Sequence, residues 1–203
     1  MHRKVLNKNQ LDLLPLIKTF SSDFGLVGGT AIALQLGHRR SIDFDLFTNV
    51  HFNSDEIKKN LRRQHKIGHV FIESQDELTI LVDEVKLTFY HYPFAVKFLE
   101  YFEDIISMSD LLTLAAMKAF ALGKRAKWKD YVDLYFIFKK YQLKQVVVKS
   151  RELFKTEFNE KLFRSQLIYF KDIDYSEKIN YLPGMEVKDS QVKKALEKYS
   201  LQI

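Results

Sequence analysis

Apolar residues alternate with polar ones in short runs over the first half of the chain and recur at helical spacing over the second. Residues 9–22 read as an amphipathic helix, broken or begun at Pro15, which lacks an N–H donor and clashes with the preceding turn. Phe24 to Val27 predicts a short strand ending at Gly28-Gly29. Thr30 to Leu36 predicts a helix stopped by Gly37 in the C′ position. Ile42 to Phe47 reads as a strand, with Asp43 and Asp45 on one face and Ile42, Phe44 and Leu46 on the other. Asn53 to Gln64 opens with an N-cap candidate and early acids and runs to basic residues, the signature of a surface helix. Strands follow at 67–73, 77–82 and 85–92, the last two joined by an Asp83-Glu84 hairpin turn. Residues 93–104 read as an irregular connector rich in aromatics.

Beyond that point helices dominate. Ser107 to Asp110 reads as a capping box for a helix ending at Leu122. Lys127 to Tyr141 predicts a helix with its core face at 131, 134, 135, 138 and 141. Further helices are expected at 143–155, 159–169 and from 189 onward, with Leu182-Pro183-Gly184 as a break. The aromatics Phe154, Phe158, Phe163, Tyr169 and Phe170 recur near helical spacing and read as core rather than as base-stacking platforms. The fold class is therefore α+β: a small mixed sheet in residues 1–104 and a helical half in residues 105–203.

Composition adds bounds. The 203 residues are 46% hydrophobic and 29% charged, an ordinary globular balance that argues against disorder. The chain has no cysteine, which excludes disulfides and thiolate metal ligands and fits a reducing, cytoplasmic setting. No apolar run approaches the ~18 residues of a membrane span. A net charge of +6 is compatible with a polyanionic partner such as RNA or a nucleotide.

The chemistry concentrates in Phe24 to Thr48, FGLVGGTAIALQLGHRRSIDFDLFT. Two carboxylates side by side on one strand face repel, which destabilises the strand unless a cation neutralises them. Beside a glycine turn that opens a helix, such a pair suggests a divalent metal facing a phosphate-bearing ligand. Arg39 and Arg40 are candidates for phosphate contact or for a solvated loop. Ser41, two before Asp43, is expected on the aspartate face, as a phosphate or water ligand or as a local turn residue. His65 and His69 lie in strand-like sequence around Gly68 and are read as non-ligands. In the strand from Val85, Lys86, Thr88 and Tyr90 share one face.

The ordered combination of a GG turn and an Asp-x-Asp strand resembles the nucleotidyltransferase signature. In detail the segment is similar to that of AbiEii/AbiGii abortive-infection toxins, within the polymerase-beta-like nucleotidyltransferase superfamily. A second segment, DLLTLAAMKAFALGKRAKWKDYVDLYFIF, resembles the same family's lysine helix followed by a basic-basic-Asp-x-x-Asp motif. The resemblance implies a nucleotidyltransferase core completed by the helical half. Asp43 and Asp45 are implied as Mg²⁺ ligands, and Asp43, Asp45, Lys118 and Asp130 as the catalytic set. Gly28, Gly29, Thr30, Arg39, Arg40, Ser41, Lys86, Arg125, Lys129 and Asp133 are implied around an NTP. Asp130 is given two roles, general base or orienting group for Lys118, and Asp133 an alternative pairing with Lys129 at i, i+4. Many members of the wider superfamily carry a third acid where this chain has Thr88, leaving either one metal on two aspartates or another acid completing the set. The implied acceptor is an RNA hydroxyl, such as the 3′ end of tRNA, and the implied partner is a cognate antitoxin. A protein or small-molecule acceptor, a silent nucleotide- or RNA-binding module, and a purely structural partner are the alternatives.

Overall fold

The computed structural model describes residues 1–202. The chain divides into two compact units, one made of residues 1–35 and 40–110, the other of residues 36–39 and those from 111 onward.

The first unit is built on a seven-stranded mixed sheet. Its strands are β1 (Gly25–Val27), β2 (Asp43–Thr48), β3 (Ile67–Glu73), β4 (Glu77–Val82), β5 (Val85–His91), β6 (Glu100–Phe102) and β7 (Ile106–Met108), in the order β3-β4-β5-β2-β1-β7-β6. The β2–β5 and β1–β7 pairs are parallel and the others antiparallel. Asp83 and Glu84 both take positive φ, 44° and 67°, which suits the tight β4–β5 hairpin. Within β2 the anticipated alternation holds, with Phe44 and Leu46 fully buried and Asp43 and Asp45 partly exposed, but Ile42 precedes the strand and is exposed rather than on the buried face. Leu87 and Phe89 on β5 and Leu78 and Ile80 on β4 extend the buried side, and Phe20 and Phe24 meet Phe89 edge to face at 4.9 and 5.3 Å. Each such buried side chain contributes roughly 1.5–3 kcal/mol.

Four helices accompany the sheet: α1 (Lys8–Asp12), α2 (Leu14–Lys18), α3 (Gly28–Leu36) and α4 (Ser54–Leu61). The N-terminal helix is interrupted before Pro15, as its sequence requires. Asn53 caps α4 by accepting from the amides of Asp55 and Glu56. Gly37 takes φ 67° just past α3, the left-handed stop that glycine permits.

Two expectations fail here. Residues 100–108 are not connector and cap but the β6–β7 hairpin, turned at Glu103 with φ 52°. Ser107 therefore lies in a strand rather than at the N-cap of a helix, and the next helix begins only at Leu111. Three-residue strands carry too few positions for alternation to register.

The second unit is helical: α5 (Leu111–Leu122), α6 (Trp128–Ile137), α7 (Leu143–Phe154), α8 (Glu160–Ile168) and α9 (Asp189–Ser200). Phe154, Phe158 and Phe163 are buried as anticipated, whereas Tyr169, just past the end of α8, is exposed and Phe170 only half-buried. The helix α6 is buried almost all round rather than on one stripe, and its buried residues include Asp130 and Asp133. Residues 36–39 join this unit through a bridge between Arg39 and Tyr181 and a hydrogen bond from the Leu182 amide to the His38 carbonyl, 3.1 Å. Among the described residues, no helix is long and apolar enough to cross a membrane.

Candidate active site

In the first unit the glycine turn and the acidic strand meet through a missing side chain. Gly28 has φ +71°, and a Cβ built on it would lie 1.9 Å from Oδ2 of Asp45. Only glycine lets that carboxylate rest against the backbone where α3 begins. Register agrees, since Val27 pairs with Asp45 across β1–β2. The Thr30 hydroxyl donates to the main-chain carbonyl of Asp43, tying the first turn of α3 to the start of β2.

On the other side of β2, Asp43 pairs with Lys86 and Asp45 with Thr88. Lys86 Nζ lies 3.0 Å from Asp43 Oδ2, so an ammonium offsets part of the negative charge of the aspartate face. Thr88 stands beside Asp45 where a third acid was sought. The Thr79 hydroxyl contacts Thr88 Oγ1 at 3.3 Å and donates to Oε1 of Glu77 at 2.8 Å, so the next acid along this row is reached only across two threonines. Ser41 departs from expectation: β2 begins at Asp43, so Ser41 precedes the strand, with its amide 3.4 Å from the Val5 carbonyl. Arg40 is exposed and reaches the Leu6 carbonyl at 3.5 Å. A cavity of about 700 Å³ elsewhere in this unit, lined by Thr19, Phe24, His51 and Asn60 among others, includes none of the anticipated site residues.

The second unit gathers its charged residues into a buried cluster. Asp133 is fully buried and accepts from Arg39 through Nε and Nη2 at 2.7 and 2.8 Å, and from His38 Nε2 at 2.8 Å. Lys118 Nζ lies 3.1 Å from Asp133 and bonds Oδ1 of Asp130, whose Oδ2 is 3.2 Å from Arg125 Nε. Burial alone pushes the Asp133 carboxyl up, but the charges of Arg39 and Lys118 outweigh it and hold the group well below the usual range. Asp130 is shifted down for the same balance of reasons, with Lys118 and Arg125 as its cations. Burial disfavours the Lys118 ammonium, yet Asp130 and Asp133 outweigh it and raise its pKa, so it is charged at neutral pH.

His38 behaves differently. Burial drives its pKa down further than Asp133 raises it, so the ring is neutral at neutral pH. The short contact to Asp133 is therefore a hydrogen bond from a neutral imidazole rather than an ion pair. Its Nε2 carries the proton that Asp133 accepts, leaving Nδ1 buried without a hydrogen-bond partner.

The anticipated i, i+4 pairing of Asp133 with Lys129 does not form, because Asp133 is saturated by Arg39, His38 and Lys118. Lys129 instead bonds Glu177, as does Lys127 at 2.7 Å. Burial pushes Glu177 up, but its hydrogen bonds to the two lysines prevail and carry the carboxyl down to about 2. Nor is the second signature a salt-bridged surface, since Lys118, Asp130 and Asp133 are all buried. Arg125 is the member of that cluster with a half-exposed side chain, 52%.

Residues 16–198 match the family model for the nucleotidyl transferase AbiEii toxin of type IV toxin–antitoxin systems. The chain belongs to the AbiEii family. An AbiEii chain is a nucleotidyltransferase of the toxin class, and both signatures described above fall within the matched span. An uncharacterised protein of Aquifex aeolicus (strain VF5) is 29% identical over 177 residues, covering 82% of this chain and 84% of the relative. Among solved structures, MenT4, a nucleotidyltransferase toxin of Mycobacterium tuberculosis H37Rv, is similar with a TM-score of 0.62 over 95% of this AbiEii chain and 82% of its own, at 11% identity. A Helicobacter pylori protein described as a candidate nucleotidyltransferase gives a TM-score of 0.52 at 22% identity, covering 78% of this chain and 73% of its own. At such identities the likeness is one of fold, and the fold is that of nucleotidyltransferases.

Sequence reasoning put all the candidate residues around one nucleotide; the fold gathers Gly28, Thr30, Asp43, Asp45 and Lys86 within the first unit and Lys118, Arg125, Asp130 and Asp133 within the second. It did not anticipate that His38 and Arg39 join the second group. Their only advance signal was position, directly after the Gly37 stop. It also passed over His51, Asp76 and His91, which the fold brings together from three segments.

Proposed function

We propose that this chain transfers a nucleoside monophosphate from an NTP to an acceptor hydroxyl, the 3′ end of an RNA such as tRNA, with Mg²⁺ held by Asp43 and Asp45. The observation that carries the reading is the space left by the absent Gly28 Cβ, 1.9 Å from Asp45 Oδ2, which seats a carboxylate against the helix-opening turn. The donor set suits a hard cation: two carboxylates share one strand face, and the Lys86 ammonium already lies 3.0 Å from Asp43. Mg²⁺ bound there would neutralise triphosphate charge and polarise the α-phosphoryl group.

The chain's own residues bind and orient. Gly28 and Gly29 admit a phosphate close to the backbone, and Thr30 fixes Asp43 by its carbonyl. Lys86, Arg40 and Ser41 are the first unit's candidates for phosphate oxygens. In the second unit Lys118 supplies positive charge and Asp130 orients it; a general-base role is the weaker reading, since both Asp130 oxygens are occupied. Asp133 and Arg39 hold that arrangement, while Arg125 and Lys129 are the further cations for a polyanion. In the reaction the acceptor hydroxyl gives up its proton to solvent and its oxygen bonds to the α-phosphorus as the bond to the leaving pyrophosphate breaks. The net charge of +6 favours an RNA acceptor, and membership of a toxin family calls for a cognate antitoxin protein.

The test is incubation with each α-labelled NTP, Mg²⁺ and RNA, protein or small-molecule acceptors. Label on RNA 3′ ends with stoichiometric pyrophosphate is expected, lost on EDTA treatment and in Asp45→Asn with the fold intact. Label on protein alone would replace the acceptor, and full turnover by Asp45→Asn would remove the metal assignment.

A further inference from the structure

Three side chains outside the site described above converge at one end of the sheet. His91 closes β5, Asp76 sits in the turn between β3 and β4, and His51 lies in the segment after β2. One ligand atom from each falls within 4.8 Å of the others. The Nδ1 atoms of His91 and His51 are 2.8 and 3.4 Å from the same oxygen, Oδ1 of Asp76. Neighbouring ligand atoms of a tetrahedral zinc ion, bound at roughly 2.0–2.1 Å, stand about 3.3 Å apart. The two histidine–aspartate separations straddle that value, and the third pair of ligand atoms lies within 4.8 Å.

Two of the three ligands are held by backbone. The His91 amide donates to the Asp76 carbonyl at 2.8 Å, and the Ser74 hydroxyl accepts from the amides of Asp76 and Glu77 at 3.3 and 3.0 Å. The imidazole rings of His51 and His91 lie 3.9 Å apart, centroid to centroid. Side-chain exposure is 64% for His51, 50% for Asp76 and 17% for His91, so an ion has a path from solvent and a coordination position left for water.

We propose that His51, Asp76 and His91 form a second cation site, for a zinc-like divalent transition metal, that ties together the ends of β2, β4 and β5. Nitrogen donors separate it chemically from the aspartate pair, because imidazole favours zinc, nickel or copper while magnesium takes oxygen ligands. Geometry separates the two as well. His91 has the strand parity of the buried Leu87 and Phe89, opposite to Lys86 and Thr88, which pair with Asp43 and Asp45. The site therefore stands or falls independently of the catalytic reading.

The experiment is calorimetric titration of the untagged, EDTA-stripped full chain with ZnCl₂ in excess MgCl₂, the magnesium masking the aspartates. Co²⁺ absorption serves as a coordination readout. One equivalent of zinc is expected to bind and to raise the thermal midpoint. His51→Ala and His91→Ala should each weaken binding by at least about 10-fold, the low end of what even outer-shell changes cost at metal sites. Failure of the wild-type chain to bind zinc saturably would overturn the proposal, as would binding of unchanged strength in His51→Ala. That variant changes an exposed loop residue, so it decides the matter even if His91→Ala folds poorly.

Discussion

Replacing Gly28 by alanine perturbs the candidate site at a single atom. The added methyl would sit 1.9 Å from Oδ2 and 2.8 Å from Cγ of Asp45. Ordinary contact needs about 3.5 Å, so the carboxylate must withdraw by roughly 1.5 Å. A displacement of that order in a catalytic constellation costs on the order of 10²-fold in rate. Alanine at φ +71° adds a backbone cost of roughly 1–2 kcal/mol. Gly184 supplies the control: its φ is +81°, yet nothing lies within 4 Å of a Cβ built there. Gly184→Ala should carry the same backbone cost with no effect on chemistry. Nucleotide transfer measured by label incorporation, beside thermal melts, separates the terms. Both variants should melt about 2–8 °C low, and only Gly28→Ala should lose about 10²-fold or more in turnover. Gly28→Ala retaining activity within about 3-fold, or Gly184→Ala losing as much, would refute the argument that this glycine exists to seat Asp45.

The buried cluster yields two further expectations. Asp133→Asn leaves Arg39 and Lys118 facing a neutral group inside the second unit and should cost about 3–5 kcal/mol, or roughly 6–20 °C in melting temperature. Asp130→Asn should cost less, because Lys118 keeps Asp133 and the other partner, Arg125, is half exposed; urea melts of both variants test the order, and a loss under about 1 kcal/mol for Asp133→Asn would contradict it. His38 sets a pH dependence. Its folded pKa lies below 6.5, so the folded state binds fewer protons than the unfolded one as pH falls past that value. Its contribution is complete above about pH 6.5 and is lost below it at up to ~1.4 kcal/mol per pH unit. His38→Gln should flatten that slope in melts between pH 7.5 and 5.5, and an identical slope in the variant would count against a neutral buried ring.

Much of this was legible in the chain itself, and the reason is locality. Alternation in DFDLFT decides which face of β2 carries Asp43 and Asp45, because side chains on a strand switch sides at every residue. The glycines at 28 and 37 mark a turn and a helix stop that few other residues satisfy. Even the two signatures are short-range objects, each spelled out within a few tens of residues.

What the sequence could not decide was partnership across the chain. The spacing of Asp133 offered Lys129, but the fold brought Arg39 and His38 from some 95 positions away, with better geometry and full desolvation. The β6–β7 hairpin lay hidden because a three-residue strand has no period; it is stabilised by pairing with β1, not by its own pattern. His51, Asp76 and His91 share no local spacing, so only strand register places them around one point. Periodicity reports the environment of a side chain on its own element, while the identity of the atom opposite it depends on how distant segments pack.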